Sequence, residues 1–222
     1  MSTLAIPCEP SNYGGLRGSK IRYIVIHYTA NDGDTAQGNG RYFASNEHLG
    51  ASAHWFVDET DRVLSVPENF VAWHCGGAMY NHPECRNSNS VGVELCSRRD
   101  GAGEFYFTPE TVANAQGLVR ELMEKYDVPA ERVIRHYDVT GKICPAPFVG
   151  AGKSAWEEFT GGLRVYKKLE NVPDWAKPTI QRLMDQDILI GDEKGELNLS
   201  NDMVRTLVIL DRAGVFEKEA EA

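Results

Sequence analysis

The chain has no apolar run long enough to span a bilayer as a helix, which excludes a helical membrane protein. It is equally short of export features. Met1-Ser2-Thr3-Leu4-Ala5-Ile6-Pro7 carries neither a basic start nor a long apolar core, so no secretory signal is read there. Basic residues are in deficit: 23 Lys and Arg stand against 32 Asp and Glu, for a formal net charge of −9. That balance excludes a generic nucleic-acid binder, because phosphates need a basic face, and it disfavours attraction to an anionic membrane. Cysteines number only five, an odd count. Without an export signal the expectation is reduced thiols, any functional cysteine being a metal ligand or a nucleophile. No solenoid repeat or low-complexity tract appears.

What remains is an ordinary globular composition. The 222 residues are 42% apolar and 25% charged, enough for one good core plus a small second module. Ile21 to Tyr28 is a β-branched and aromatic run that reads as a buried strand with His27 near its end. Asp34 or Thr35 is placed to cap a short helix running toward Ala44. Ala53 to Val57 and Arg62 to Val66 read as a hairpin around a polar turn. Ser90 to Cys96 reads as a strand with Val91, Val93 and Leu95 on one face and Glu94 on the other. Thr108 and Pro109 open the clearest helix, whose apolar residues recur at helical spacing to Tyr126. Arg132 to His136 follows as a strand ended by a second histidine. The expected fold is α/β, a central mixed sheet flanked by helices.

After Pro145 the texture changes. Ala155 to Phe159 suits a short closing helix, and Gly161-Gly162 is the best linker signal. The expected division is 1–162 and 163–222, the second part a small all-α module. Its first helix carries Trp175, Ile180, Leu183 and Met184; its second carries Met203 to Leu210 and stops at Gly214. The tail from Glu217 to Ala222 is expected to fray.

His136 and Cys144 lie eight residues apart, on a loop able to fold back onto one ion, and His27 could complete a set of three from a distant strand. Spacing alone leaves this open. His48, His54, His74 and His82 compete, and a histidine at a strand end is more often a core or surface residue. By the same standard Glu94 reads as a solvated carboxylate and Lys142 as a loop lysine.

Three blocks change the balance. Ile24-Val25-Ile26-His27-Tyr28-Thr29-Ala30, Ser90-Val91-Gly92-Val93-Glu94-Leu95 and Arg135-His136-Tyr137-Asp138-Val139-Thr140-Gly141-Lys142-Ile143-Cys144-Pro145 together resemble the type 2 N-acetylmuramoyl-L-alanine amidases. That family includes phage endolysins, bacterial autolysins and peptidoglycan recognition proteins. The resemblance covers about residues 20 to 160. It implies zinc in a surface groove held by His27, His136 and Cys144. It further implies hydrolysis of the amide between N-acetylmuramic acid and L-alanine, with Glu94 as general base and then acid, and Lys142 stabilising the oxyanion. Where part of the family has Tyr-His-Phe, this chain has Ala53-His54-Trp55. That departure aligns it with the Bacillus-phage endolysins, in which a neighbouring glutamate takes the tyrosine's role. Ala72-Trp73-His74-Cys75-Gly76-Gly77 also resembles a family segment beside the groove. It makes His74 a candidate for binding substrate, with packing as the alternative.

Pro173 to Leu199 with Met203-Val204-Arg205 resembles a single surface-layer homology motif, with Leu197 and Leu199 where Phe and Pro are usual. This implies binding to secondary cell-wall polymers; the alternative is a docking or dimerising appendage. Two rivals to the enzyme are a non-catalytic peptidoglycan-binding protein on the same fold and a purely structural zinc protein. Cys144 argues against the first, since binding-only relatives often lack it. An open three-ligand set argues against the second, since structural sites close with four protein ligands. The absent export signal and the external substrate fit a chain made in the cytoplasm and released to the wall, as phage or prophage endolysins are.

Overall fold

The computed structural model describes residues 2–216. The expected fray of Glu217 to Ala222 lies outside the described residues. In chain order the strands are β1 (Ser2–Ala5), β2 (Tyr13–Leu16), β3 (Tyr23–Tyr28), β4 (Trp55–Val57), β5 (Asp61–Leu64), β6 (Phe70–Ala72), β7 (Ser90–Leu95), β8 (Arg98–Arg99), β9 (Phe105–Tyr106), β10 (Val133–Arg135), β11 (Val165–Tyr166) and β12 (Leu199–Ser200). The α-helices are α1 (Ala36–Ser45), α2 (Pro109–Tyr126), α3 (His136–Thr140), α4 (Lys153–Gly162), α5 (Lys177–Asp185) and α6 (Asn201–Arg212). The chain divides into two compact units, Met1–Phe159 and Thr160–Ala222.

The first unit is built on a six-stranded sheet in the order β1-β5-β4-β7-β3-β10. Only the β4–β5 hairpin is antiparallel, and the other neighbours in this sheet run parallel, so it is mixed as expected. A strand covered on both faces must be apolar at consecutive positions. Ile24, Val25 and Ile26 of β3 meet that condition and are fully buried. Each such side chain contributes about 1.5–3 kcal/mol relative to exposure.

Alternation along β5 places α1 and α2 on opposite faces. Arg62 reaches the α2 face, donating to Asn114 Oδ1 at 2.6 Å and pairing with Glu121. Val63 faces α1, where a Cβ on Gly40 would fall 2.8 Å from Val63 Cγ1, so only glycine lets the helix approach this closely. Both helices start on the expected caps: Thr35 accepts from the Gly38 N–H, and Thr108 from the Thr111 N–H.

Three local expectations need correction. His136 does not end a strand; β10 stops at Arg135 and His136 opens α3. The Asp138 carboxylate accepts from the Arg135 N–H at 2.8 Å, and this turns the chain into the helix. Gly161 and Gly162 are the last two residues of α4 rather than a free linker.

The third correction concerns the second unit, which is not purely helical. β11 and β12 pair antiparallel, Tyr166 opposite Leu199. So short a ladder is marginal by itself. It is held because Tyr166 and Leu199 join a core with Val172, Ala176, Ile180, Leu197, Val204 and Val208. Leu197 and Leu199, the departures from the surface-layer pattern, are therefore core residues.

Candidate metal centre

β3 and β7 run side by side in parallel, and their register sets His27 directly beside Glu94. β10 flanks β3 on its other edge with Arg135 opposite Ile26, so His136 emerges next to His27. Their rings lie 4.8 Å apart, centroid to centroid. Gly141 ends α3 in the left-handed conformation, φ 81°, which favours glycine. The loop then folds back. The Tyr137 N–H donates to the Cys144 carbonyl at 2.8 Å, and Cys144 Sγ comes to 3.7 Å from His27 Nδ1.

One donor atom from each of His27, His136 and Cys144 lies within 4.8 Å of the others, and all three residues are buried. Glu94 Oε1 is 3.9 Å from His27 Nδ1. With a neutral imidazole this is a polar contact, not an ion pair. His27, His136, Cys144, Glu94 and Lys142 all line one groove of about 760 Å³, with Tyr42 and Trp73 further along its walls.

Burial dominates the electrostatics. It drives His27 well below the usual histidine range, with His74, His136 and Lys142 adding repulsion. His136 is pushed down to about 4, first by burial and then by Lys142. Both imidazoles are therefore neutral and offer lone pairs. Burial raises the Cys144 thiol to about 12, with the Glu94 carboxylate adding to the effect. Burial likewise raises Glu94 to about 8, against the pull of Lys142.

Two features show that this donor set fits a cation. Both ring nitrogens of His136 and Oε2 of Glu94 are buried without a hydrogen-bond partner among the described residues. Leaving such groups unpaired costs about 1–3 kcal/mol each, a cost that a metal ligand avoids. Two neutral imidazoles and a thiol, converging and open to a groove, also match the three-ligand pattern of catalytic zinc.

His74 is held from both sides. Its ring is buried, and both nitrogens are engaged within the protein, Nδ1 with His27 Nε2 at 3.0 Å and Nε2 with Ser90 Oγ at 3.1 Å. The residue also lines the groove, and its ring contacts His27, a candidate ligand. His54 is fully buried, and its Nδ1 accepts from the Gly92 N–H at 3.0 Å. All five cysteines are free thiols. The sequence reading missed Ser90 and Asp34; the latter adds repulsion that raises Glu94 further. A signal for Ser90's surroundings existed, since a glycine inside a strand, here Gly92, marks a close approach.

Residues 17–147 match the model of the N-acetylmuramoyl-L-alanine amidase family. The chain belongs to that family. It is 38% identical over 144 residues to the N-acetylmuramoyl-L-alanine amidase CwlL of Bacillus licheniformis, a match covering 61% of this chain and 39% of the relative. It is 36% identical over 157 residues to the amidase BlyA of Bacillus subtilis (strain 168), covering 65% and 41%. The chain thus spans about two fifths of the length of these curated relatives. The solved catalytic domain of XlyA superposes with a TM-score of 0.61 at 26% identity, over 74% of this chain and all of that domain. PlyL superposes at 0.59 and 28% identity, over 74% of this chain and 98% of PlyL. These likenesses establish an amidase-family fold for the first unit.

Proposed function

We propose that this amidase-family chain is a zinc-dependent hydrolase of bacterial peptidoglycan that cuts the amide between N-acetylmuramic acid and L-alanine. The carrying observation is the convergence on one groove of His27, His136 and Cys144 with Glu94 and Lys142. The amidase names of its relatives support the choice of bond.

His27, His136 and Cys144 would hold the ion, which supplies Lewis acidity that lowers the pKa of water to about 7 and polarises a carbonyl. Glu94 is the base. Its half-buried carboxylate stands beside the ligand cluster, takes a proton from the attacking water and returns it to the leaving L-alanine nitrogen. Lys142 is exposed at the groove, where its ammonium offsets charge developing on the scissile carbonyl oxygen. Protonating the amine makes it a viable leaving group.

A role as endolysin or autolysin follows from that bond, with the chain acting at the cell wall. Among the described residues no helix is long and apolar enough to cross a membrane. For the second unit the reading is a localising appendage. Trp175, Ile190 and Ile209 are exposed on it and suit it to docking, on a wall polymer or on a second copy.

Digestion of defined peptidoglycan with mass analysis of the products tests the proposal. The expected products are intact glycan strands and free stem peptides beginning at L-alanine. Binding without such products would support the non-catalytic reading instead.

A further inference from the structure

A chain of hydrogen bonds runs away from the ligand cluster into the protein. His27 turns Nδ1 toward Cys144 and Glu94 and Nε2 toward His74. His74 in turn contacts Ser90, and Ser90 Oγ lies 2.7 Å from the Arg86 carbonyl oxygen. Each link restricts where the protons sit. A carbonyl oxygen can only accept, so the Ser90 hydroxyl spends its single proton on Arg86. Ser90 Oγ must then accept from His74, which places a proton on His74 Nε2. The Nε2–H tautomer of an imidazole leaves Nδ1 bare, so His74 Nδ1 accepts from His27 Nε2–H. His27 is left with a bare Nδ1, the atom facing the cluster. Reversing any link would put a proton on His27 Nδ1 and block it as a ligand.

From this geometry we propose that Ser90 is a positioning residue that acts through His74 to fix His27 in the Nε2–H form, ready to bind metal through Nδ1. The proposal rests on the metal reading above. Two further features support it. Ser90 and His27 are fully or almost fully buried, so water does not offer competing partners. A Cβ on Gly92 would fall 2.5 Å from His74 Cγ, so the missing side chain on β7 makes the space in which the His74 ring is held. Cys75 Sγ lies 3.7 Å from Ser90 Oγ on the same side of the sheet-end cluster. The whole relay is thus assembled from β7, the segment before it and the end of β3.

The test uses the full chain and reads the imidazole nitrogens directly. Long-range proton–nitrogen correlation spectra of the metal-free protein should show His27 and His74 each protonated at Nε2 and bare at Nδ1. Ser90→Ala should mix the two forms of both rings and lower zinc affinity by about 10-fold or more, measured by competition with a chromophoric chelator. Ser90→Thr, which restores a hydroxyl, should recover the pure form and most of the affinity. A wild-type His27 protonated at Nδ1 would overturn the proposal, whatever the variants do. So would a folded Ser90→Ala protein with unchanged ring signals and zinc affinity. None of these readouts involves peptidoglycan: an intact relay in a protein that cleaves no muramyl amide would sink the proposed function and leave the relay standing.

Discussion

His27 and Glu94 are direct neighbours on adjacent parallel strands, and their side chains meet 3.9 Å apart at the floor of the groove. The sheet therefore fixes the spacing between the proposed ligand and the proposed base. Neither depends on a loop, and rigid elements hold catalytic geometry better than loops do. The remaining proposed ligands arrive from one continuous segment, His136 to Cys144, which is stitched onto the neighbouring edge through β10.

That arrangement separates metal binding from turnover. Glu94→Gln should keep the fold and leave zinc affinity within a few-fold, yet reduce kcat by roughly 100-fold or more, because an amide cannot accept the water's proton. Cys144→Ser should instead weaken zinc binding itself. A chelator titration and a rate measurement on the same two proteins distinguish the effects. Near-normal turnover in Glu94→Gln would remove Glu94 from the role of base.

Metal binding should release protons. At pH 7 the Cys144 thiol, raised to about 12, and the Glu94 carboxyl, raised to about 8, both hold their protons in the metal-free protein. A cation favours the charged form of each. Calorimetry of zinc binding in buffers of different ionisation enthalpy should report between one and two protons released near pH 7. Cys144→Ser should lower that count by about one.

The metal-free protein should be most stable in a narrow range near pH 6.5. Below it, the unfolded chain protonates histidines at their usual 6.5, whereas folded His136 resists down to about 4, and His27 and His54 also stay neutral. The unfolded state then binds more protons, so stability falls as pH drops through this window. Above it Glu94 takes over. Its proton is held to about 8 in the folded state but lost near the ordinary 4.5 on unfolding, so stability falls as pH rises toward 8. Glu94→Gln should flatten the alkaline limb, steepen the acid limb above about pH 4.5, where Glu94 had opposed the histidines, and stabilise the metal-free protein at pH 8 by about 1–3 kcal/mol. Thermal unfolding with chelator present, followed from pH 5 to 8.5, measures both limbs. An alkaline limb unchanged by Glu94→Gln would count against this carboxyl group as its cause.

These properties differ in how far the sequence discloses them. The β-branched run before His27 and the capped, periodic helix after Thr108 are local patterns, and both elements lie where they were expected. The proposed ligand set was legible only through three matched blocks, since spacing alone leaves several histidines in competition. β1 was missed because Ser2 to Ala5 is short and mostly exposed at a sheet edge, with no alternation to mark it. The start of α3 was missed because the Asp138 contact that turns the chain is a side-chain detail. Ser90 and His74 sit 16 residues apart and meet only when the sheet forms. No periodicity encodes such a contact, and only Gly92, conspicuous inside a strand, hinted that something packs there.

The last prediction concerns the second unit. The first unit contains the candidate metal cluster, Glu94, Lys142 and its own sheet core, all before residue 160. The second has a separate small core around Ile180, Leu199 and Val204. If that unit serves only to localise the chain, a protein ending after Gly162 should fold, bind zinc with unchanged affinity and cleave a soluble muramyl peptide at close to the full rate. Its deficit should appear on intact cell walls, where a second point of attachment raises the effective concentration of enzyme at its substrate, by 10-fold or more for even a weak site as an order-of-magnitude expectation. Comparing full-length and shortened protein on both substrates measures this directly. Equal loss on the soluble peptide would mean that the helices support the catalytic fold or a required dimer. Sedimentation of the two proteins would then decide between these, because only the dimer reading requires the full-length chain to sediment as a pair.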